Sequence, residues 1–342
     1  MKVLKSAVFC FILLFFCDKT FACSDFQLKA KDGTIVVGRT MEFPVDLKSR
    51  VQAVPRSTNN KYGYLGIDAA GKADLINDGM NEKGLSVGGL MFGAAQYQTP
   101  VQGKKSIPVT QLCSYLLGNF ATVDEVKKEF SNIRVLSEPI KELGGALGFH
   151  LAVHDAKNKN MVVEFINGEV KIYDNPLGVT TNMPEFSWQL TNLANYINLN
   201  SDDRKEISMN GLKIRPAGVG SGLLGLPGDW TPPSRFVRLA WTVNSVLPAK
   251  NASDAVVLAG HIINSIDIPV GVIKEAHNLY GYAQWVVIKD LTNKVMYYRT
   301  YENQMLKAVD MKKLNMSIGA KSKNISVNEG AQKAVDVTGR LL

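Results

Sequence analysis

Residues 26–43 read FQLKAKDGTIVVGRTMEF, two strand-like runs on either side of Asp32-Gly33. An Asp-Gly pair between such runs is a strong short-range signal for a tight hairpin turn. The spacing predicts one strand over FQLKAK and a second over TIVVGRTMEF, returning antiparallel beside it. Cys23, just ahead of Phe26, then stands at the head of the first strand, and Arg39 and Glu42 come back beside it on the second.

Upstream, Met1 to Ser6 carry two lysines, Ala7 to Cys17 read AVFCFILLFFC, and Asp18 to Ala22 form a short polar tail ending in a small residue. That order of charged, apolar and small-residue regions is an export signal. The apolar run is far short of the ~20 residues a membrane-spanning helix needs. Residues 1–22 are therefore expected to be removed, leaving residues 23–342 as one exported domain, periplasmic or secreted. Cleavage after Ala22 would make Cys23 the first residue, with a thiol and an α-amine sharing it. Acylation of Cys23, as in a lipoprotein, is the alternative. That pathway wants a leucine-like residue where Thr20 stands and a small one where Phe21 stands.

The composition, 46% hydrophobic and 20% charged, is ordinary for a globular protein with a sizeable core. The net charge of +8 comes from scattered lysines, with no basic run interleaved with aromatics, so nucleic acid is not an expected partner. Cys10 and Cys17 leave with the signal. The remaining pair, Cys23 and Cys113, is too little for a disulfide framework. Cys113 lies in VTQLCSYLLGNF among apolar residues at helical spacing and reads as a small buried hydrophobe rather than a bridge partner.

Further strands are expected in VQAVPR, YGYLGIDAA and LSVGGLMF, with NDGMNEKG as a turn, and later in LGFHLAVHDA, MVVEFI, EVKIYD, AQWVVIKD and KVMYYRTYE. Helices are expected over Val109 to Phe120, at TVDEVKKEF behind a Thr122/Glu125 capping box, and from Pro184. Two more should start with Ser234 and Ser253 as N-caps. Hairpin strands with helices grouped between them argue for a layered α+β fold and against a doubly wound one.

None of the four histidines has a partner at metal-ligand spacing. His150 and His154, on one face of a strand, read as packing or hydrogen-bonding residues, as do His261 and His277. The G-x-G-x-x-G at Gly220, Gly222 and Gly225 is followed by Pro227 instead of a helix, so it reads as a loop and not a phosphate cradle. No cofactor and no metal are expected. Cys23 is different, because its position suggests chemistry. A thiol on the first residue can lose its proton to its own α-amine, whose pKa of about 7.7–8.0 lies near neutral pH, so a histidine is unnecessary.

Five segments together resemble the choloylglycine hydrolase family of N-terminal nucleophile hydrolases, which includes bile salt hydrolases and penicillin V acylases. They are Cys23 itself, VVGRTMEF, DGMNEKGLSVGGL, VTTNMPEF and GSGLLGLPGDWTPPSRFVR. The resemblance implies a four-layer αββα sandwich and hydrolysis of a linear amide in a small N-acyl molecule. It places Cys23 as nucleophile with its own amine as base, and Arg39 beside the thiolate. Asn182 becomes a side-chain oxyanion donor, Met91 the residue whose main-chain N–H is the other donor, and Arg235 a second cation. At Glu42 the family usually has Asp, which orients the amine. The signal and Glu42 look more like the Gram-negative branch. The expected activity is therefore that of a penicillin V or N-acyl-homoserine-lactone acylase, with conjugated bile salt hydrolysis as the alternative. A non-catalytic exported lipoprotein or binding protein is the alternative of another class. Phe43, Phe92 and Tyr97 are expected to bind the acyl group. Family members often form tetramers through an extended loop, which residues 196 to 216 would supply.

Overall fold

The computed structural model describes residues 22–275 and 278–341. The expected signal before Ala22, and His277, lie outside the described residues. The opening hairpin is present and begins at Cys23. Strand Cys23–Lys29 pairs antiparallel with Ile35–Phe43, placing Cys23 opposite Met41 and Asp25 opposite Arg39. Its turn is wider than a two-residue one. Gly33 N donates to Ala30 O, Ala30 N donates to Thr34 O, and the Asp32 carboxylate accepts from Thr34 N. Gly33, at φ 89°, supplies the left-handed step that closes this wider loop.

The hairpin lies within a seven-stranded sheet. Val179–Thr180 pairs on one side of it, and Tyr280–Asp290, Val295–Thr300 and Lys307–Asp310 follow on the other, with Ile273–Lys274 beside Tyr280–Asp290. A second sheet of eight strands runs in the order Glu169–Asp174, Asn160–Ile166, Phe149–Asp155, Leu85–Met91, Lys72–Asn81, Tyr64–Ala69, Arg50–Val54 and Lys323–Ser326. The strand pairings within both sheets are antiparallel.

Because successive strand residues point to opposite faces, each sheet buries two sets of side chains. Cys23, Val37, Met41, Leu65, Met80, Leu90, Trp285 and Val287 pack between the sheets. Leu85, Val87 and Val153 face outward against Leu112, Leu116 and Val126 of helices Val109–Asn119 and Val123–Glu129. Phe26, Val36 and Ile288 face the other way, against Phe236, Ala259 and Ile262 of helices Pro232–Ser245 and Ala252–Asn264. Each large side chain so buried contributes roughly 1.5–3 kcal/mol relative to exposure. The result is the αββα sandwich that the resemblance implied.

Three local expectations are corrected. Asn77 to Asn81 of the expected turn NDGMNEKG continue strand Lys72–Asn81, and the chain reverses only at Glu82 to Gly84. Asp78 is tolerated in the strand because buried cations face it, as described below. Helix Pro232–Ser245 starts at prolines, after Thr231, so Ser234 lies inside its first turn and donates to Asp229 Oδ2 at 2.6 Å. Helix Ala252–Asn264 is capped by Asn251, whose Oδ1 accepts from Asp254 N, rather than by Ser253. The Thr122 cap is as expected, with its hydroxyl accepting from Glu125 N.

Candidate active site

Strand alternation sorts the head of the hairpin into two faces. Cys23, Arg39, Met41 and Phe43 point between the sheets, whereas Ser24, Thr40 and Glu42 point toward the helix layer. Cys23 is fully buried, and its Sγ lies 3.8 Å from Met41 Sδ. Cys113 is also free and buried.

Three distant segments close on Cys23. Asn182, just beyond strand Val179–Thr180, accepts at Oδ1 from Cys23 N at 2.7 Å and from Arg235 Nη2 at 2.8 Å. Its Nδ2 donates one hydrogen to Met91 O at 2.8 Å and keeps a second. The Met91 backbone, at the end of strand Leu85–Met91, is close enough to the Cys23 sulfur to lower its pKa. Arg235, in the first turn of its helix, donates through Nη1 to Cys23 O and Ser24 Oγ, both at 2.6 Å, and through Nε to Trp230 O. This fully buried guanidinium therefore holds the backbone of the first strand from its helix side.

Arg39 approaches from the other side of the same strand pair. Its guanidinium donates to Asn77 O at 2.7 Å, Asp78 Oδ2 at 2.9 Å and Gly89 O at 2.6 Å, and it lies 5.5 Å from the centre of the Trp285 ring. Burial pushes the Cys23 thiol above its ordinary pKa, and Arg39, the Met91 N–H and Arg235 pull it back down. Glu42 adds to the rise. Its own carboxyl is pushed up to about 7 by burial, despite the nearby Arg235, Thr40 and Arg39, and among the described residues neither of its oxygens has a hydrogen-bond partner.

Of the residues singled out in the sequence, Cys23, Arg39, Met91, Asn182 and Arg235 meet. Glu42 is near but sits on the opposite face from the thiol, because it follows Met41 by one strand position. Cys23 N donates to Asn182 Oδ1. That nitrogen is a peptide N–H here, with Ala22 attached and Ala22 O accepting from Glu42 N at 3.1 Å.

An apolar crevice of about 30 Å³ lies beyond Met41, whose sulfur is the contact of the Cys23 thiol, with Met41, Phe43, Met91, Cys113, Leu143, Leu147 and Phe149 among its walls. Of the residues expected to bind the acyl group, Phe43 lines this crevice and Phe92 and Tyr97 do not. Phe92 turns away and stacks on His150, ring centres 4.9 Å apart. Tyr97 braces the crevice from behind, accepting from Phe149 N at 2.7 Å and packing on Phe165. Leu143 reads only as part of a connection, and Leu147 and Phe149 open the expected strand LGFHLAVHDA without anything that marks them as crevice residues.

His150 and His154 act as hydrogen-bonding residues. His150 bonds Thr181 O at 2.9 Å and lies 3.3 Å from Glu164, and His154 lies between Asp25 and Asn160. Among the described residues, no group of three or more His, Cys, Asp or Glu could hold a metal, and no helix is long and apolar enough to cross a membrane.

Residues 23–328 match the family model of linear amide C–N hydrolases, choloylglycine hydrolase family. The chain is 32% identical to the bile salt hydrolase/transferase of Clostridium perfringens, over 86% of this chain and 94% of that one. It superposes on the crystal structure of a mutant conjugated bile acid hydrolase from the same organism with TM-score 0.84 and 31% identity, covering 92% of this chain and 99% of the other. A more distant relative, the penicillin V acylase of Pectobacterium atrosepticum, is 25% identical over 80% of this chain and 73% of its own. The chain belongs to the choloylglycine hydrolase family, amidohydrolases acting on linear amides.

Proposed function

We propose that this amidohydrolase cleaves the amide between an apolar acyl group and a small polar amine with Cys23 as its nucleophile, and that conjugated bile salts are its main substrates. The convergence of Asn182, Met91, Arg39 and Arg235 on one buried cysteine supports the nucleophile. The stronger similarity to a bile salt hydrolase than to a penicillin V acylase supports the substrate class, against the acylase activity expected from the Gram-negative resemblance.

Removal of residues 1–22 and export would free the Cys23 amine. In the first step that amine takes the thiol proton, and Sγ attacks the substrate carbonyl carbon. The oxyanion is met by the second Asn182 Nδ2 hydrogen and the Met91 N–H. The amine then returns its proton to the leaving nitrogen as the C–N bond breaks, giving a Cys23 thioester and a free amine. Water hydrolyses the thioester, releasing the acid and the thiol. Intact-mass measurement of the exported protein should show Cys23 as first residue without lipid, and an N-terminus at Ser24 would remove the base. Exposed Ile207, Met209 and Leu212 on the small hairpin Ile207–Ile214 support assembly into a homotetramer through residues 196–216, which light scattering would test.

The second reading, a penicillin V or acyl-homoserine-lactone acylase, is favoured by the crevice. Its roughly 30 Å³ is small against the ~300–1,000 Å³ of ordinary ligand pockets. A rigid steroid demands a larger displacement of its walls than a flat phenoxy ring or a linear chain. The deciding experiment compares kcat/KM for glycocholate, penicillin V and acyl-homoserine lactones of several lengths. Glycocholate should lead; a value well below both others would hand the substrate to the second reading and leave Cys23 untouched.

A further inference from the structure

Lys289 is a lysine with no exposed side-chain surface, and in this fold a buried ammonium needs a reason. Its strand, Tyr280–Asp290, lies beside Ile35–Phe43, and its Nζ donates to Asp78 Oδ1 at 2.5 Å. The other oxygen of the same carboxylate, Oδ2, accepts from Arg39 Nη1 at 2.9 Å. All three side chains are fully buried between the sheets. Gly88 makes room for them: a Cβ there would stand 3.1 Å from Arg39 Nη1 and 3.3 Å from Asp78 Oδ2.

An Arg39–Asp78 pair alone would be neutral, and a neutral pair favours a neighbouring thiolate little. With Lys289 on the second oxygen, the group carries one net positive charge, and the end of it nearest Cys23 is the guanidinium. We propose that Asp78 and Lys289 act on the nucleophile through Arg39, which Asn77 O and Gly89 O also hold in place: Lys289 balances Asp78 so that the charge of Arg39 stays uncancelled beside Cys23. This inference rests on Cys23 being the nucleophile. The other charged or titratable groups around Cys23 and this cluster are the α-amine that Cys23 carries in the mature chain, Asp25 with His154 between the sheets, the Cys113 thiol on helix Val109–Asn119, and Glu42 and Arg235 on the other helix side. None of them changes in the test below, so only the balance within the group is altered.

The test reads the pH dependence of Cys23 alkylation by iodoacetamide in the mature protein, with peptides resolved by mass spectrometry so that Cys113 is counted separately. Lys289→Met leaves Asp78 paired with Arg39 and removes one positive charge, so the alkylation midpoint should move up by about half a unit to one unit. Asp78→Asn removes a negative charge and should move it down. The double variant keeps the net charge and should return to the wild-type midpoint, as should Lys289→Arg. A purely structural role would not give shifts of opposite sign, nor restore the profile in the double variant. Alkylation of Cys23 with the same midpoint in Lys289→Met and Asp78→Asn overturns the proposal. Folded wild-type protein in which Cys23 is not alkylated at any pH up to 9 overturns the nucleophile reading itself. If either single variant fails to fold, the other and the double variant still decide the sign.

Discussion

Glu42 offers a sharp test of the electrostatics at the head of the hairpin. Its carboxyl is fully buried, neither oxygen has a hydrogen-bond partner among the described residues, and burial lifts it from an ordinary 4.5 to about 7. Between those two values the folded protein holds more protons than the unfolded chain, so stability falls as pH rises through this window. Above about pH 7 the cost is fully present, and below 4.5 it is absent. At about 1.36 kcal/mol per unit, a rise of this size corresponds to roughly 3 kcal/mol. Glu42→Gln keeps the shape and removes the charge. In a form of the chain that keeps Ala22, the variant should therefore exceed the wild type by roughly 3 kcal/mol at pH 8 and match it at pH 4.5. Urea unfolding followed by circular dichroism at both pH values measures the difference, and the pH responses of the other groups cancel in it. A gap that is the same at pH 4.5 and pH 8 would refute the reasoning. In the mature form the gain should shrink, because a cationic Cys23 amine would give the carboxylate a partner.

Cys23→Ser should leave a folded protein with little or no amidase activity, since a serine hydroxyl has a far higher pKa than a thiol; wild-type turnover in a glycine-release assay would remove Cys23 as nucleophile. Asn182→Ala should lower kcat on the order of 10²–10³ by loss of an oxyanion donor, and unchanged kcat would remove that role. At pH 8 iodoacetamide should modify Cys23 well before Cys113, whose thiol is pushed up to about 12 by burial, and equal labelling in a peptide map would contradict this. Leu147→Trp, filling the crevice, should cut kcat/KM for glycocholate more than for penicillin V; equal losses would show that the acyl group binds elsewhere.

The fold was legible wherever a local pattern and its tertiary role coincide. Asp32-Gly33 between two strand-like runs announced the hairpin, and the alternation of Val36 and Val37 on its second strand is what lets one sheet face both a second sheet and a helix layer. Asp78 was hidden for the opposite reason. NDG is turn chemistry by residue type, and only Arg39 and Lys289, brought from far away in the sequence, make Asp78 acceptable in a strand. The same limit hid the crevice. Leu143, Leu147 and Phe149 carry no periodicity that marks them, and Phe92 and Tyr97 were expected at the substrate because they lie near Met91 in sequence. Side-chain direction decides otherwise: Phe92 faces His150, and the Tyr97 hydroxyl is committed to the Phe149 backbone.

Site positions were legible individually, whereas the division of labour between the two buried arginines needs the structure. Arg39 and the Cys23 sulfur share the inter-sheet face, so the charge of Arg39 acts on the thiol. Arg235 lies across the sheet, and its nearest partners are Cys23 O, Ser24 Oγ and Asn182 Oδ1. From there it fixes the backbone of Cys23 and, by occupying Oδ1, the orientation of the Asn182 amide. With Oδ1 shared between Cys23 N and Arg235, Nδ2 can only turn toward Met91 O and the space beside the sulfur. One cation therefore acts mainly on the Cys23 thiol, the proposed nucleophile, and the other on the direction of the Asn182 amide. That separation follows from strand alternation: a single step along Cys23–Lys29 moves a side chain from one layer of the sandwich to the next.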